Sequence, residues 1–171
     1  MDFLKGNLSL TLSYVGKANT TGLSPIADLQ REVFLNTFVT GAGAGQCNEA
    51  YCAVRTLAAG ADETLDLYGV LLNNLRQTVN FARIKGILVA LLDDTAATSI
   101  TVGGYGANGW VGPFGDVDGI QTVYNGGIYL NTKLDASGWV VTNSTADKLK
   151  ILNNDGAVVA TYLIALIGAL T

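Results

Sequence analysis

The chain is 171 residues long, enough for one domain with a sizeable hydrophobic core. It is 49% hydrophobic and only 14% charged, where an ordinary soluble domain carries about 25% charged residues, so much of its surface is expected to meet either a membrane or other protein subunits. A net charge of −4 with ten scattered Lys and Arg argues against direct binding to nucleic acid, and the lack of any His removes Ser-His-Asp and Cys-His catalysis.

In chain order, MDFLKG (residues 1–6) reads as an N-terminal arm, with residues 7–171 as a single domain. In NLSLTLSYV (7–15), Leu8, Leu10, Leu12 and Tyr14 alternate with polar residues, which predicts a strand with one apolar face. REVFLNTFVT (31–40) and AYCAVRTL (50–57) repeat the pattern on either side of GAGAGQ (41–46), a loop whose glycines permit positive φ. ETLDLYG (63–69) predicts a short strand with Leu65 and Leu67 inward, and GVLLNNLRQTV (69–79) one or two helical turns carried by Leu71, Leu72 and Leu75. ARIKGILVALL (82–92) reads as a central strand buried on both faces, stopped by Asp93 and Asp94, with Arg83 and Lys85 as solvated positions.

The second half falls into short strands at 99–102, 120–124, 127–134, 138–142, 147–153 and 158–168. NGG (125–127) and NNDG (153–156) read as hairpin-type turns. Eight or more short strands separated by turn residues predict an all-β antiparallel sandwich or barrel with long Gly-rich loops and at most one short helix. The longest apolar run, residues 157–170, is broken by Thr161 and Gly168 and is too short for a helical span, and the N-terminus lacks the form of a signal peptide. The chain is expected to be soluble when made, with protein subunits as its neighbours.

GYGANG (104–109) matches G-x-G-x-x-G, but a dinucleotide fingerprint must open a helix and find an acid about 20 residues on. Here Gly112, Pro113, Gly115 and Gly119 forbid the helix, and the acids Asp116 and Asp118 come too early. The segment is expected to be a structured loop. Its aromatics, Tyr105, Trp110 and Phe114, either plug one end of the core or form a partner-contact loop. Asp116 and Asp118 cap turns on the simpler reading; a calcium site with loop carbonyls is the alternative. Cys47 and Cys52 cannot complete a zinc shell without further ligands and are expected to be buried, unpaired thiols on opposite faces. No metal or cofactor is expected.

RTLAAGADETLDLYGVL (55–71), FARIKGILVALL (81–92), VGGYGANGWVGPFGD (102–116), NGGIYL (125–130), DASGWVVTNSTADKLKILNN (135–154) and ATYLIALIG (160–168) together resemble small β-sandwich proteins encoded among the head genes of tailed bacteriophages and prophages. The resemblance covers roughly residues 55–168; residues 1–54 match only loosely. It implies a jelly-roll-like sandwich that serves as a capsid decoration (cement) protein. Such a protein is made in the host cytoplasm, sits on the capsid exterior and binds the major capsid protein as a homo-oligomer, trimer favoured over dimer. It implies no enzymatic activity, no cofactor and no membrane or nucleic-acid partner. The alternatives are another virion component, such as a coat jelly roll or a tail or fibre module, and a carbohydrate-binding sandwich that stacks sugars on Trp110, Trp139 and loop tyrosines.

Overall fold

A computed structural model of the chain describes residues 5–18, 26–73, 75–92 and 98–170. Two long strands come first, β1 (Lys5–Ala18) and β2 (Ile26–Thr40), paired antiparallel from Lys5↔Val39 to Ala18↔Ile26. The short β3 (Gln46–Cys47) joins β2 in parallel. These three form their own sheet and share no ladder with the strands that follow. β1 and β2, expected as strands of the sandwich, therefore pair in a sheet apart from the two that follow.

The sandwich begins at β4 (Glu49–Leu57) and β5 (Asp62–Asp66), followed by a small hairpin of β6 (Tyr68–Leu72) and β7 (Thr78–Asn80). β8 (Arg83–Leu91), β9 (Ser99–Gly103), β10 (Ile120–Tyr124), β11 (Ile128–Thr132), the two-residue β12 (Trp139–Val140), β13 (Lys148–Asn153) and β14 (Ala160–Ala169) complete it. One sheet runs β11-β8-β14-β4, with β12 also on β8, and the other runs β10-β9-β13-β5. Counting the eight long sandwich strands in chain order, the first sheet reads sixth, third, eighth, first, and the second fifth, fourth, seventh, second. All the neighbouring pairs within the two sheets are antiparallel.

The core lies between these sheets. Ile87, Val89 and Leu91 of β8 and Ile164 and Leu166 of β14 meet Leu65 of β5, Ile100 and Val102 of β9, and Leu149 and Ile151 of β13, all buried. Leu65 and Leu67 point inward, as their alternation predicts.

Two expectations need correction here. The described residues of 69–79 belong to the β6–β7 hairpin rather than to helical turns: Asn73 Oδ1 accepts from the N–H groups of Leu75 and Gln77 at 3.0 Å each, and Arg76 takes a left-handed φ of 60°. That side-chain bonding offers the backbone an alternative to a helix, and Leu72 and Leu75 are left exposed. The NGG and NNDG turns are tight, with Gly127 N–H on Tyr124 O at 2.7 Å, yet each carries the chain from one sheet to the other, β10 to β11 and β13 to β14. Turn chemistry sets a reversal of direction; which strand the chain then pairs with is decided by the whole fold. β8 is central and buried along most of its length, as expected, with Gly86 and Ala90 buried and Leu88 half-buried on its outer face. The stop at Asp93 and Asp94 lies outside the described residues.

β8 carries a bulge at Lys85, opposite Ile167 and Gly168 of β14. A Cβ at Gly168 would stand 2.1 Å from Arg83 O, so backbone meets backbone where only glycine fits. Gly168→Ala is expected to destabilise the fold by about 1–3 kcal/mol, read as a lowered urea midpoint with unchanged slope.

Candidate functional site

The long loop between β9 and β10 holds the aromatic residues singled out from the sequence. Trp110 is 2% exposed and packs edge-on against Phe114 (ring centroids 6.0 Å, 90°) and Trp139 (6.3 Å, 86°). Its indole N–H donates to Val140 O at 3.1 Å. Phe114 is half-buried and stacks on Tyr129 at 6.2 Å. Gly112, at a φ of 39°, lies so close that a Cβ there would meet the Trp110 ring at 2.6 Å. Of the three, Trp110 is unavailable to a partner and serves as a core plug; Tyr105 remains exposed on the loop. The loop contains only a single three-residue 3-10 turn, Gly112–Phe114, so GYGANG opens no helix.

The other sequence candidates resolve differently. Asp116 and Asp118 are exposed, and Asp116 Oδ1 accepts from Asp118 N–H at 3.2 Å in a local turn. Among the described residues no group of three or more acidic or Cys side chains is placed to hold a metal ion, and no helix is long and apolar enough to cross a membrane. Both cysteines are free, but Cys52 is exposed, not buried as expected, because β4 turns it onto the outer face.

Lys85 was expected to be solvated and is fully buried. It is the extra residue of the β8 bulge, lying between the paired positions Ile84 and Gly86. Its ammonium donates to Ala42 O and Gln46 O at 2.9 Å each and to Gly43 O. Burial pulls its pKa below the ordinary lysine range, with Cys47 pulling the other way. This tripod holds the Gly-rich loop that joins β2 to β3, and so fixes the root of the β1–β2 ribbon. Its sequence signal is one lysine beside a glycine in an otherwise apolar strand, which a reading by charge alone passes over.

Buried Cys47 stands beside this lysine, and burial pushes its thiol up to about 11 from an ordinary value of 9.0, Lys85 partly opposing. The folded state then binds more protons than the unfolded one between these two values, so stability falls as pH rises from 9 to 11. The loss expected from this thiol is about 2–3 kcal/mol. Melting curves across that range should show it, and Cys47→Ala should flatten the early part of the decline.

At the edge where β4 faces β5, Glu63 bridges the two sheets. Its Oε2 accepts from Arg55 Nε at 2.7 Å and from Arg55 Nη2, and its Oε1 accepts from the Tyr162 hydroxyl at 2.6 Å. Burial, aided by Glu63, raises Tyr162 far above the tyrosine range, so this hydroxyl stays protonated. Each carboxylate oxygen of Glu63 is thus engaged by a fixed donor, and the cluster clamps the sandwich edge.

The outer faces of the two sheets differ in kind. On the β10-β9-β13-β5 sheet, Lys148 pairs with Asp66 and Lys150 approaches Asp62 at 4.0 Å, next to exposed Thr and Asn hydrogen bonds. On the β11-β8-β14-β4 sheet, the outward rows shared by all four strands hold no charged residue. One cross-strand row reads Val54, Leu163, Ala90, Ile128 and the next reads Cys52, Ala165, Leu88, Leu130. Val54 is 62% exposed and Ile128 54%. An antiparallel sheet with a solvated side normally alternates apolar inward with polar outward; here two adjacent outward rows are apolar across all four strands.

Comparison with protein-family models, curated proteins and solved structures finds no match to this chain.

Proposed function

We propose that this protein is a virion structural subunit, a capsid decoration protein that assembles as a homo-oligomer on the outside of a shell of major capsid protein. The observation that carries the reading is the contrast between the two outer faces: one sheet is dressed for water with ion pairs, the other for contact with protein. Interfaces of permanent assemblies resemble a core cut in half, which is the character of these apolar outward rows. The strand order, with both sheets interleaving early and late strands, supports a jelly roll. The phrase-by-phrase resemblance to phage head-gene sandwiches points the same way.

On this reading the protein does no chemistry. It acts by linkage, stabilising the expanded shell by its free energy of binding to that state alone, and a repeating lattice lets weak single contacts sum. Exposed Tyr105 is the candidate lattice contact. Co-sedimentation with expanded shells of the major capsid protein from the same genome tests the reading. Saturable binding at high copy with raised shell melting, weakened by Tyr105→Ala, is expected. No binding to either unexpanded or expanded shells overturns it.

An exposed, coplanar pair of Trp110 and Trp139 would support the carbohydrate reading. The two rings stand at 86°, and Trp110 is buried with its N–H engaged. That geometry does not favour sugar stacking on this pair.

A further inference from the structure

We propose that the Asn125–Gly126 pair is a self-modifying site, at which the folded chain converts its asparagine to aspartate and isoaspartate through a cyclic imide. The inference rests on the turn between β10 and β11 and is independent of the capsid reading.

Asn-Gly occurs at 108–109 and again at 125–126. In such a pair the second residue has no Cβ, so its backbone nitrogen approaches the asparagine Cγ with the least steric hindrance. The sequence ranks the two sites equally, and the structure separates them.

Ring closure requires the peptide plane between the two residues to turn until its nitrogen faces Cγ, and every hydrogen bond made by that plane resists the turn. At 108–109 the plane is pinned at both ends. Asn108 O accepts from Asp147 N–H at 3.3 Å and from Lys148 N–H at 3.1 Å, and Gly109 N–H donates to Gly106 O at 2.9 Å. At 125–126 neither Asn125 O nor Gly126 N–H bonds to a described residue. Gly126 is exposed, with a left-handed φ of 65° and open space where a Cβ would stand.

The side chain is equally unheld. Asn73 and Asn153, also at turns, are anchored: Asn73 Oδ1 accepts from two N–H groups, and Asn153 Nδ2 donates to Ala58 O and Val158 O. Asn125 Oδ1 is buried without a donor, so swinging the amide onto the backbone sacrifices no bond to a described residue. The flanks of the turn, by contrast, are fixed. Asn125 N–H donates to Thr98 O at 3.0 Å, Gly127 N–H to Tyr124 O at 2.7 Å, and Leu91 N–H to Gly127 O at 3.1 Å. One free peptide plane therefore rotates inside a rigid frame that keeps the reacting atoms close.

The chemistry needs only water and a base. The Gly126 nitrogen loses its proton to solvent base and attacks Asn125 Cγ. The N–Cγ bond forms, the Cγ–Nδ2 bond breaks, and Nδ2 leaves as ammonia with a proton from water. A second water opens the imide at either carbonyl. Opening at Cγ gives aspartate; opening at the main-chain carbonyl leaves Gly126 joined through Cγ, which is isoaspartate and adds one methylene to the backbone. Either product places a new carboxylate at the entry to β11, an edge strand of the sheet with the apolar outward rows.

The test incubates the full folded chain at mildly alkaline pH and follows its peptides by mass. The peptide containing Asn125 should gain about 1 Da, or about 3 Da in heavy-oxygen water, and split into two chromatographic forms. The peptide containing Asn108 should convert about tenfold more slowly or less. In unfolding urea, where nothing pins either plane, the two should convert at similar rates. Asn125→Gln, which would have to close a larger ring, should abolish the gain at that peptide, and Asn108→Gln should leave it unchanged. Equal rates at the two sites in the folded chain overturn the proposal. So does a folded chain that leaves Asn125 intact over the time in which the unfolded chain converts both.

Discussion

Trp110→Ala is expected to destabilise the fold by about 3–5 kcal/mol, the range for removing a large aromatic from a core. The indole is 2% exposed and touches two other rings edge-on, so its loss leaves a cavity lined by Phe114 and Trp139 that the glycine-rich loop cannot collapse to fill without moving Gly112. At about 2–4 °C per kcal/mol for a chain of this size, the melting temperature should drop by roughly 6–20 °C. Trp110→Phe separates the causes, because it keeps an aromatic ring but strands Val140 O, and should lose only part of that. Trp139 remains as the fluorescence reporter. A loss under about 1 kcal/mol would mean that the loop is not a plug and is free to meet a partner.

Lys85→Met should have a comparable effect by another route. The methionine fills much the same space but leaves three carbonyls, of Ala42, Gly43 and Gln46, without their donor. Bonds from a charged donor are worth about 1.5–3 kcal/mol each and do not add fully, so about 3–5 kcal/mol is expected. The damage should be local first: hydrogen exchange across 41–46 should accelerate more than exchange in β8 or β14. Lys85→Arg should not rescue it, since a planar fork cannot replace a compact ammonium with three divergent donors. Wild-type exchange in the loop of the methionine variant would show that the tripod does not hold the ribbon root.

Local rules were legible in the residues. Period-two alternation placed Leu65 and Leu67 inward and located β9, β10, β13 and β14 to within a residue or two, because a half-buried strand declares itself in its own neighbours. What the residues concealed is non-local. NGG announces a reversal of the chain, but nothing in three residues says whether the next strand lies alongside or across the core. The Leu-rich stretch 69–79 fits a helix by spacing, and only Asn73 bonding ahead to Leu75 and Gln77 diverts it into a hairpin. Lys85 reads as a surface charge until a bulge turns it onto three carbonyls. Trp110 was recognised as a large apolar group among glycines, and its role as plug or anchor was settled by burial, which the sequence does not carry.

The pairing of β4 with β14 has a consequence for how the molecule is made. Glu49 pairs with Gly168, so the sheet that contains the first sandwich strand cannot close until the last has been synthesised. At about 5–20 residues per second, the ribosome delivers the intervening segment in roughly 6–24 s, and through that time β4 has no mate. A topology dominated by such distant partners also folds slowly once complete. The nascent chain therefore passes through a vulnerable interval in which its uncharged segments are open to aggregation, and its yield in a cell should respond to chaperone supply and to slower growth temperature more than its final stability would indicate.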